Sequence, residues 1–95
     1  MVHRKPAAGD IRILLADDHQ LLRQGLRALL ESEPGFLLVG ESDEGFDVVR
    51  KVESLSPDVL VLDLMMPGIN GLEVTRQVRQ RSPRTRVVIL SMHGD

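Results

Sequence analysis

The sequence contains no cysteine, no tryptophan and no tyrosine. Without Cys, a disulfide framework, thiol catalysis and a Cys-based zinc site are all excluded. Phe36 and Phe46 are the only aromatic residues. Any core is therefore aliphatic, and there is no aromatic platform on which the bases of single-stranded nucleic acid could stack. Neither sign of charge dominates. Twelve Lys and Arg against fourteen Asp and Glu leave a net charge of −2, which gives no global pull toward DNA or an anionic membrane. No apolar run approaches the roughly 20 residues of a membrane span. Residues 1–10 are basic and then small, and no apolar signal core follows them. A cytoplasmic protein is the expectation.

The 95 residues suffice for one small domain, and a hydrophobic content of 42% is enough to build its core. Residues 1–10, with Pro6, Gly9 and no periodicity, read as a disordered lead. Residues 11–95 alternate strand-like and helix-like segments. Ile11–Ala16 is an apolar run rich in β-branched residues. Residues 19–33 place Leu22, Leu26, Leu29 and Leu30 at helical spacing, and Pro34-Gly35 ends them. Residues 36–40 form a short second strand. Residues 42–55 carry Phe46, Val49 and Val52 on one helical stripe, with Ser42 or Asp43 as the cap. Residues 58–62 are apolar after Asp58, as a strand covered on both faces requires. A loop through Pro67-Gly68 and Asn70-Gly71 leads to a third helix over Gly71–Arg81, capped by Asn70 and striped by Leu72, Thr75 and Val78. Arg86–Leu90 is a fourth strand. The β-α-β-α-β-α-β order argues for a parallel α/β sheet with helices on both faces.

Acids stand at two of the strand ends. Asp17 and Asp18 follow the first strand and Asp63 follows the third. In an open parallel sheet, ligands bind outside the carboxyl ends of the strands, so three carboxylates would meet in one crevice. Like charges there repel. A hard cation such as Mg²⁺ relieves that repulsion, because it takes oxygen ligands and keeps waters that a phosphate can replace. Taken singly, each residue has an ordinary role. Asp17 and Asp18 would serve as helix caps, and Ser91 as a turn residue. Met65 and Met66 would fill the loop. His19 and His93 lack a partner at ligand spacing and read as surface residues, although His19 could modulate the charge of the acidic pocket. Arg76, Arg79, Arg81, Arg84 and Arg86 read as a solvated face. It is the combination at strand ends that points to chemistry.

These residues together resemble the receiver domain of two-component response regulators. They are Asp17-Asp18 after the first strand, Asp63 after the third, then Met66-Pro67, Asn70-Gly71 and Ser91. Ala16-Asp17-Asp18-His19 and Leu90-Ser91-Met92-His93 are most similar to the NarL/FixJ (LuxR-type) subfamily. The resemblance implies a flavodoxin-like (CheY-like) doubly wound sheet of order 2-1-3-4-5. It also implies that Asp63 accepts a phosphoryl group from the phosphohistidine of a sensor histidine kinase, without the chain being an enzyme in its own right. On the same basis Asp17, Asp18, Asp63 and the backbone carbonyl of Met65 hold Mg²⁺, and the Ser91 hydroxyl bonds the phosphoryl group. Gln20, Arg23, Gln24 and Arg27 match where such proteins dock the kinase.

A full receiver continues through a fifth strand that ends in a Lys. Here the match stops at Asp95, and neither Lys5 nor Lys51 sits at a strand end. The expectation is a receiver truncated after the fourth strand, with no DNA-binding helix-turn-helix and no membrane contact. Its bare fourth-strand edge should template homo-oligomerisation. Two other functions compete. One is a non-phosphorylated interaction or dimerisation module derived from a receiver. The other is a phosphatase of the haloacid-dehalogenase type, which wants a second Asp where this chain has Met65.

Overall fold

A computed structural model describes residues 7–90. Ser91 and His93, and the first six residues of the expected lead, lie outside the described residues. The elements are β1 (Ile11–Ala16), α1 (Gln20–Ser32), β2 (Phe36–Ser42), α2 (Gly45–Leu55), β3 (Val59–Asp63), α3 (Gly71–Arg81) and β4 (Arg86–Leu90). The four strands form one parallel sheet of order β2-β1-β3-β4. These are the first four positions of the expected order.

Side-chain alternation assigns the two faces. Leu14 and Ala16 of β1 join Leu60 and Leu62 of β3 in a core with Val48, Val49 and Val52 of α2 and Val74 and Val78 of α3. Ile13 and Leu15 point the other way, toward α1, which lies over β1 and β2. They too are buried. α1 itself has no buried residue. Val59 and Val61, on that same face of β3, are only half-buried. The third strand is therefore fully covered on one side and partly on the other.

Several boundaries and stripes differ from the sequence expectation. β2 runs on to Ser42 because β1 keeps pairing with it, Ala16 opposite Ser42, and the Asp17 amide then donates to the Ser42 carbonyl (3.0 Å). Ser42 is thus absorbed into the sheet, and α2 starts at Gly45. Its cap is Glu44, whose side chain accepts from the Asp47 amide (2.8 Å). The later start leaves Phe46 exposed and turns Val48 inward. In α3, Leu72 is exposed and Val74 is buried, so the stripe is Gly71, Val74 and Val78. Thr75 turns its hydroxyl back to the Gly71 carbonyl (2.8 Å). In α1 the stripe is Leu22, Leu26 and Leu30, and Leu29 faces solvent. Asn70 caps α3 as expected, accepting from the Glu73 amide (2.9 Å). Three of the five clustered arginines are in ion pairs, Arg76 with Glu73, Arg81 with Glu53 and Arg84 with Asp58.

Candidate functional site

β1 has β2 on one side and β3 on the other, so the chain reverses its winding between β1 and β3. Ligand crevices open at such points. The register sets Ala16 beside Leu62, and the next residues along, Asp17 and Asp63, are therefore neighbours. Both are fully buried. Local turns aim their carboxylates. Asp17 Oδ1 accepts the His19 amide (2.6 Å), and Asp63 Oδ1 accepts the Met65 amide (3.0 Å). Each is an Asx turn, in which a short acid bonds the backbone two residues on. Asp17 is also held through its own carbonyl, which accepts from Arg23 Nη1 (2.8 Å). Arg23 and Arg27 pair with Glu41 on β2 (3.3 and 3.0 Å) and are partly buried. Of the four residues expected on an open docking face of α1, only Gln20 and Gln24 are fully exposed.

The structure brings Asp17, Asp18 and Asp63 together, as expected, and adds His19. One donor atom from each of the four lies within 4.8 Å of the others. His19 Nδ1 is 3.1 Å from Asp17 Oδ1, 3.3 Å from Asp18 Oδ1 and 3.3 Å from Asp63 Oδ2. Sequence reasoning placed His19 on the surface because it counted partners along the chain. The Asp17 turn folds the imidazole back over its own neighbours, and its place directly after the Asp pair was the only available signal. The hydrogen bond to Asp17 does most to raise the His19 pKa above that of an ordinary histidine. Partial loss of hydration opposes the rise, and the charges of Asp18, Asp17 and Asp63 add to it.

Two oxygens in the cluster carry the strongest message. Asp17 Oδ2 and Asp63 Oδ2 are buried and accept no hydrogen bond. The His19 contact to Asp63 Oδ2 is close enough for charge attraction but misaligned for a bond. A buried carboxylate oxygen without a partner is costly, and hard oxygen donors converging on one point suit a hard divalent cation. The donor set therefore fits Mg²⁺.

The loop after β3 ties back to the start of α2. The Met65 side chain is exposed and Met66 is buried in the core. Gly68 turns with φ +88°, and the Pro67 carbonyl accepts the amide of Gly45, the first residue of α2 (3.0 Å). A separate groove of about 750 Å³, between α3 and β4, is lined by residues such as Thr75, Arg79 and Ile89 and by none of the acids.

The profile of the response regulator receiver domain matches residues 13–95. The transcriptional regulatory protein DegU of Brevibacillus brevis is 44% identical over 85 residues, which are 90% of this chain and 36% of DegU. The solved signal receiver domain of the response regulator NarL from Mycobacterium tuberculosis aligns with a TM-score of 0.85 and 35% identity, over 90% of this chain and 69% of that one. RcsB from Salmonella enterica serovar Typhimurium, solved on a promoter in the presence of the phosphomimetic BeF3−, aligns with a TM-score of 0.81 and 26% identity, over 88% of this chain and 42% of that one. The chain spans little more than a third of the length of DegU.

Proposed function

The chain belongs to the response regulator receiver domain family, and from that premise we propose that residues 11–95 act as a phosphoacceptor domain in two-component signalling, with Asp63 as the acceptor. The observation that carries this reading is the convergence of Asp17, Asp18 and Asp63 with two buried, unbonded oxygens. Oδ1 of Asp63 is tied to the Met65 amide, so Oδ2 is the oxygen open to a new bond. It attacks phosphorus, the P–N bond of a kinase phosphohistidine breaks, and the product is an aspartyl phosphate. Such a transfer needs positioning and charge neutralisation more than covalent help. Asp17, Asp18, Asp63 and the Met65 carbonyl would hold Mg²⁺, which supplies that neutralisation when bound, and the Ser91 hydroxyl would bond the phosphoryl oxygens. The phosphomimetic used with RcsB supports the same chemistry. The partner is a sensor histidine kinase in the cytoplasm. The chain is a phosphoprotein rather than an enzyme with its own turnover, and transcription regulation belongs to the output of such a protein, as the name of DegU says of DegU. No helix among the described residues is long and apolar enough to cross a membrane.

The test is a mass measurement. Incubated with acetyl phosphate and Mg²⁺, the protein should gain one phosphate, and Asp63→Asn should gain none. Equal uptake by the two would remove Asp63 from the role.

A second reading has its own observation. Among the described residues β4 is an edge strand of the sheet, and its Val88 and Ile89 are 47% and 40% exposed. An outer strand with bare apolar side chains templates pairing with another chain. We propose that this region joins two copies, which would also let the protein work as a dimerisation module. Sedimentation should show a dimer that dissociates in Val88→Lys, since a charge on an edge strand blocks pairing. A wild-type protein that stays monomeric at high concentration would refute it.

A further inference from the structure

We propose that His19 gives the acidic pocket a second metal specificity, serving as the fourth ligand, through Nδ1, to Zn²⁺ or a similar late first-row divalent ion. The inference rests on the pocket described above but not on phosphoryl transfer. It starts from the distances. Metal–ligand bonds of about 2.1 Å set neighbouring donor atoms about 3.0–3.4 Å apart around an octahedral or tetrahedral ion. His19 Nδ1 lies 3.1, 3.3 and 3.3 Å from one oxygen of each of the three acids. Those distances match the nitrogen's edges in such a shell, and the four donor atoms lie within 4.8 Å of one another, so three oxygens and one nitrogen stand close enough to contract onto one ion. Asp17 Oδ2 and Asp63 Oδ2 are fully buried and unbonded beside it, so two of the acids have lone pairs that no protein group uses.

The backbone that carries the ring is also held in place. The Asp17 turn fixes the His19 amide at 2.6 Å, and His19 is the residue that opens α1. Ligand chemistry then separates the metals. Mg²⁺ takes oxygen ligands and retains its waters, so it gains little from an imidazole. Zn²⁺ binds imidazole nitrogen readily and completes four-coordinate sites from mixed nitrogen and oxygen donors. One pocket therefore has two modes, all-oxygen for Mg²⁺ and oxygen-plus-nitrogen for Zn²⁺, and Zn²⁺ would compete for the site on which phosphoryl transfer depends.

The experiment uses the full chain carrying His3→Ala and His93→Ala, which leaves His19 as the only imidazole of the three histidines. Zn²⁺ and Mg²⁺ affinities are measured by calorimetry at about pH 8, with and without His19→Ala, and the imidazole NMR signals are followed on titration with Zn²⁺. The expected result is a loss of about tenfold or more in Zn²⁺ affinity, with Mg²⁺ affinity changed less than threefold, and imidazole signals that shift and saturate at one equivalent of Zn²⁺. Imidazole signals unmoved by Zn²⁺ would overturn the proposal, as would a Zn²⁺ affinity that falls by less than threefold. Asp17→Asn serves as the control for the pocket, because it should weaken both metals. Failure of phosphate uptake with Mg²⁺ would count against the proposed function and leave the Zn²⁺ result standing.

Discussion

In metal-free buffer, Asp63→Asn should melt above the wild-type protein by roughly 10 °C, and Mg²⁺ should narrow or reverse the gap. Asp63 is fully buried beside Asp17, with Asp18 close by. Two like charges about 4 Å apart repel by roughly 4 kcal/mol at an effective dielectric constant of about 20. His19 offsets part of that, being near all three acids, but it is more than half exposed and cannot cancel it. The substitution keeps the shape and the oxygen that accepts from the Met65 amide. It exchanges the orphaned Oδ2 for an amide that donates to the neighbouring carboxylates. Removing one buried, unsatisfied charge in this way should gain about 1–3 kcal/mol, and each kcal/mol moves the melting point of a domain this size by about 4–8 °C. Mg²⁺ at a hundred times its Kd stabilises the wild type by about 2.7 kcal/mol, while the variant has lost a ligand. Calorimetric melting of both proteins in EDTA and in Mg²⁺ checks the crossing. A variant no more stable than wild type in EDTA would mean that the three acids do not strain the fold. The trade is then plain, since the residue proposed to accept phosphate would also destabilise the metal-free domain.

Gly45→Ala should lose about 2–4 kcal/mol and impair phosphate uptake with it. Gly45 is the buried first residue of α2, and its amide donates to the Pro67 carbonyl. A Cβ there would run into the Ile69 carbonyl oxygen and lie 2.8 Å from Ile69 Cγ1. A carbonyl cannot swing aside as a side chain can, so the 65–70 loop must shift. Overpacking costs about 1–3 kcal/mol, and the stretched bond to Pro67 adds about 1 kcal/mol. The same loop carries Met65, whose amide orients Asp63, so the damage reaches the proposed acceptor. Gly25→Ala is the matched control. It sits within α1, where an added Cβ meets nothing within 4 Å, and should stabilise by about 0.5–1 kcal/mol through helix propensity alone. Urea unfolding of both variants, read with phosphate uptake, checks the pair. A Gly45→Ala protein as stable as wild type would show that the loop yields freely.

The strands were legible because short apolar runs between Pro and Gly breaks leave little choice, whereas their order was implied only by the resemblance to receiver domains and is borne out as far as β4. Helix rotation was less legible. Phe46 and Leu72 each fit a helical period as well as Val48 and Val74, which were buried instead, and Leu29 fits it as well as the half-buried Leu22, Leu26 and Leu30. A stripe read from spacing alone can be turned by one position, about 100°, and only packing against the sheet decides. Ser42 looked like a cap, yet pairing with β1 claimed it for the sheet. The three acids were readable because strand ends converge by topology. His19 was read as a surface residue able to modulate the pocket's charge, and it is more than half exposed beside the acids; its contacts with all three follow from a backbone turn that brings residues 17 and 19 together rather than from any spacing.

A helix with no fully buried side chain also braces the pocket. α1 contributes no buried side chain, yet its Arg23 braces the Asp17 carbonyl and its cap, His19, covers the acids. Elements with little buried surface open at a fraction of the global unfolding energy. Local unfolding of this one helix would therefore release both the brace on Asp17 and the imidazole over the acids while the sheet beneath stays paired.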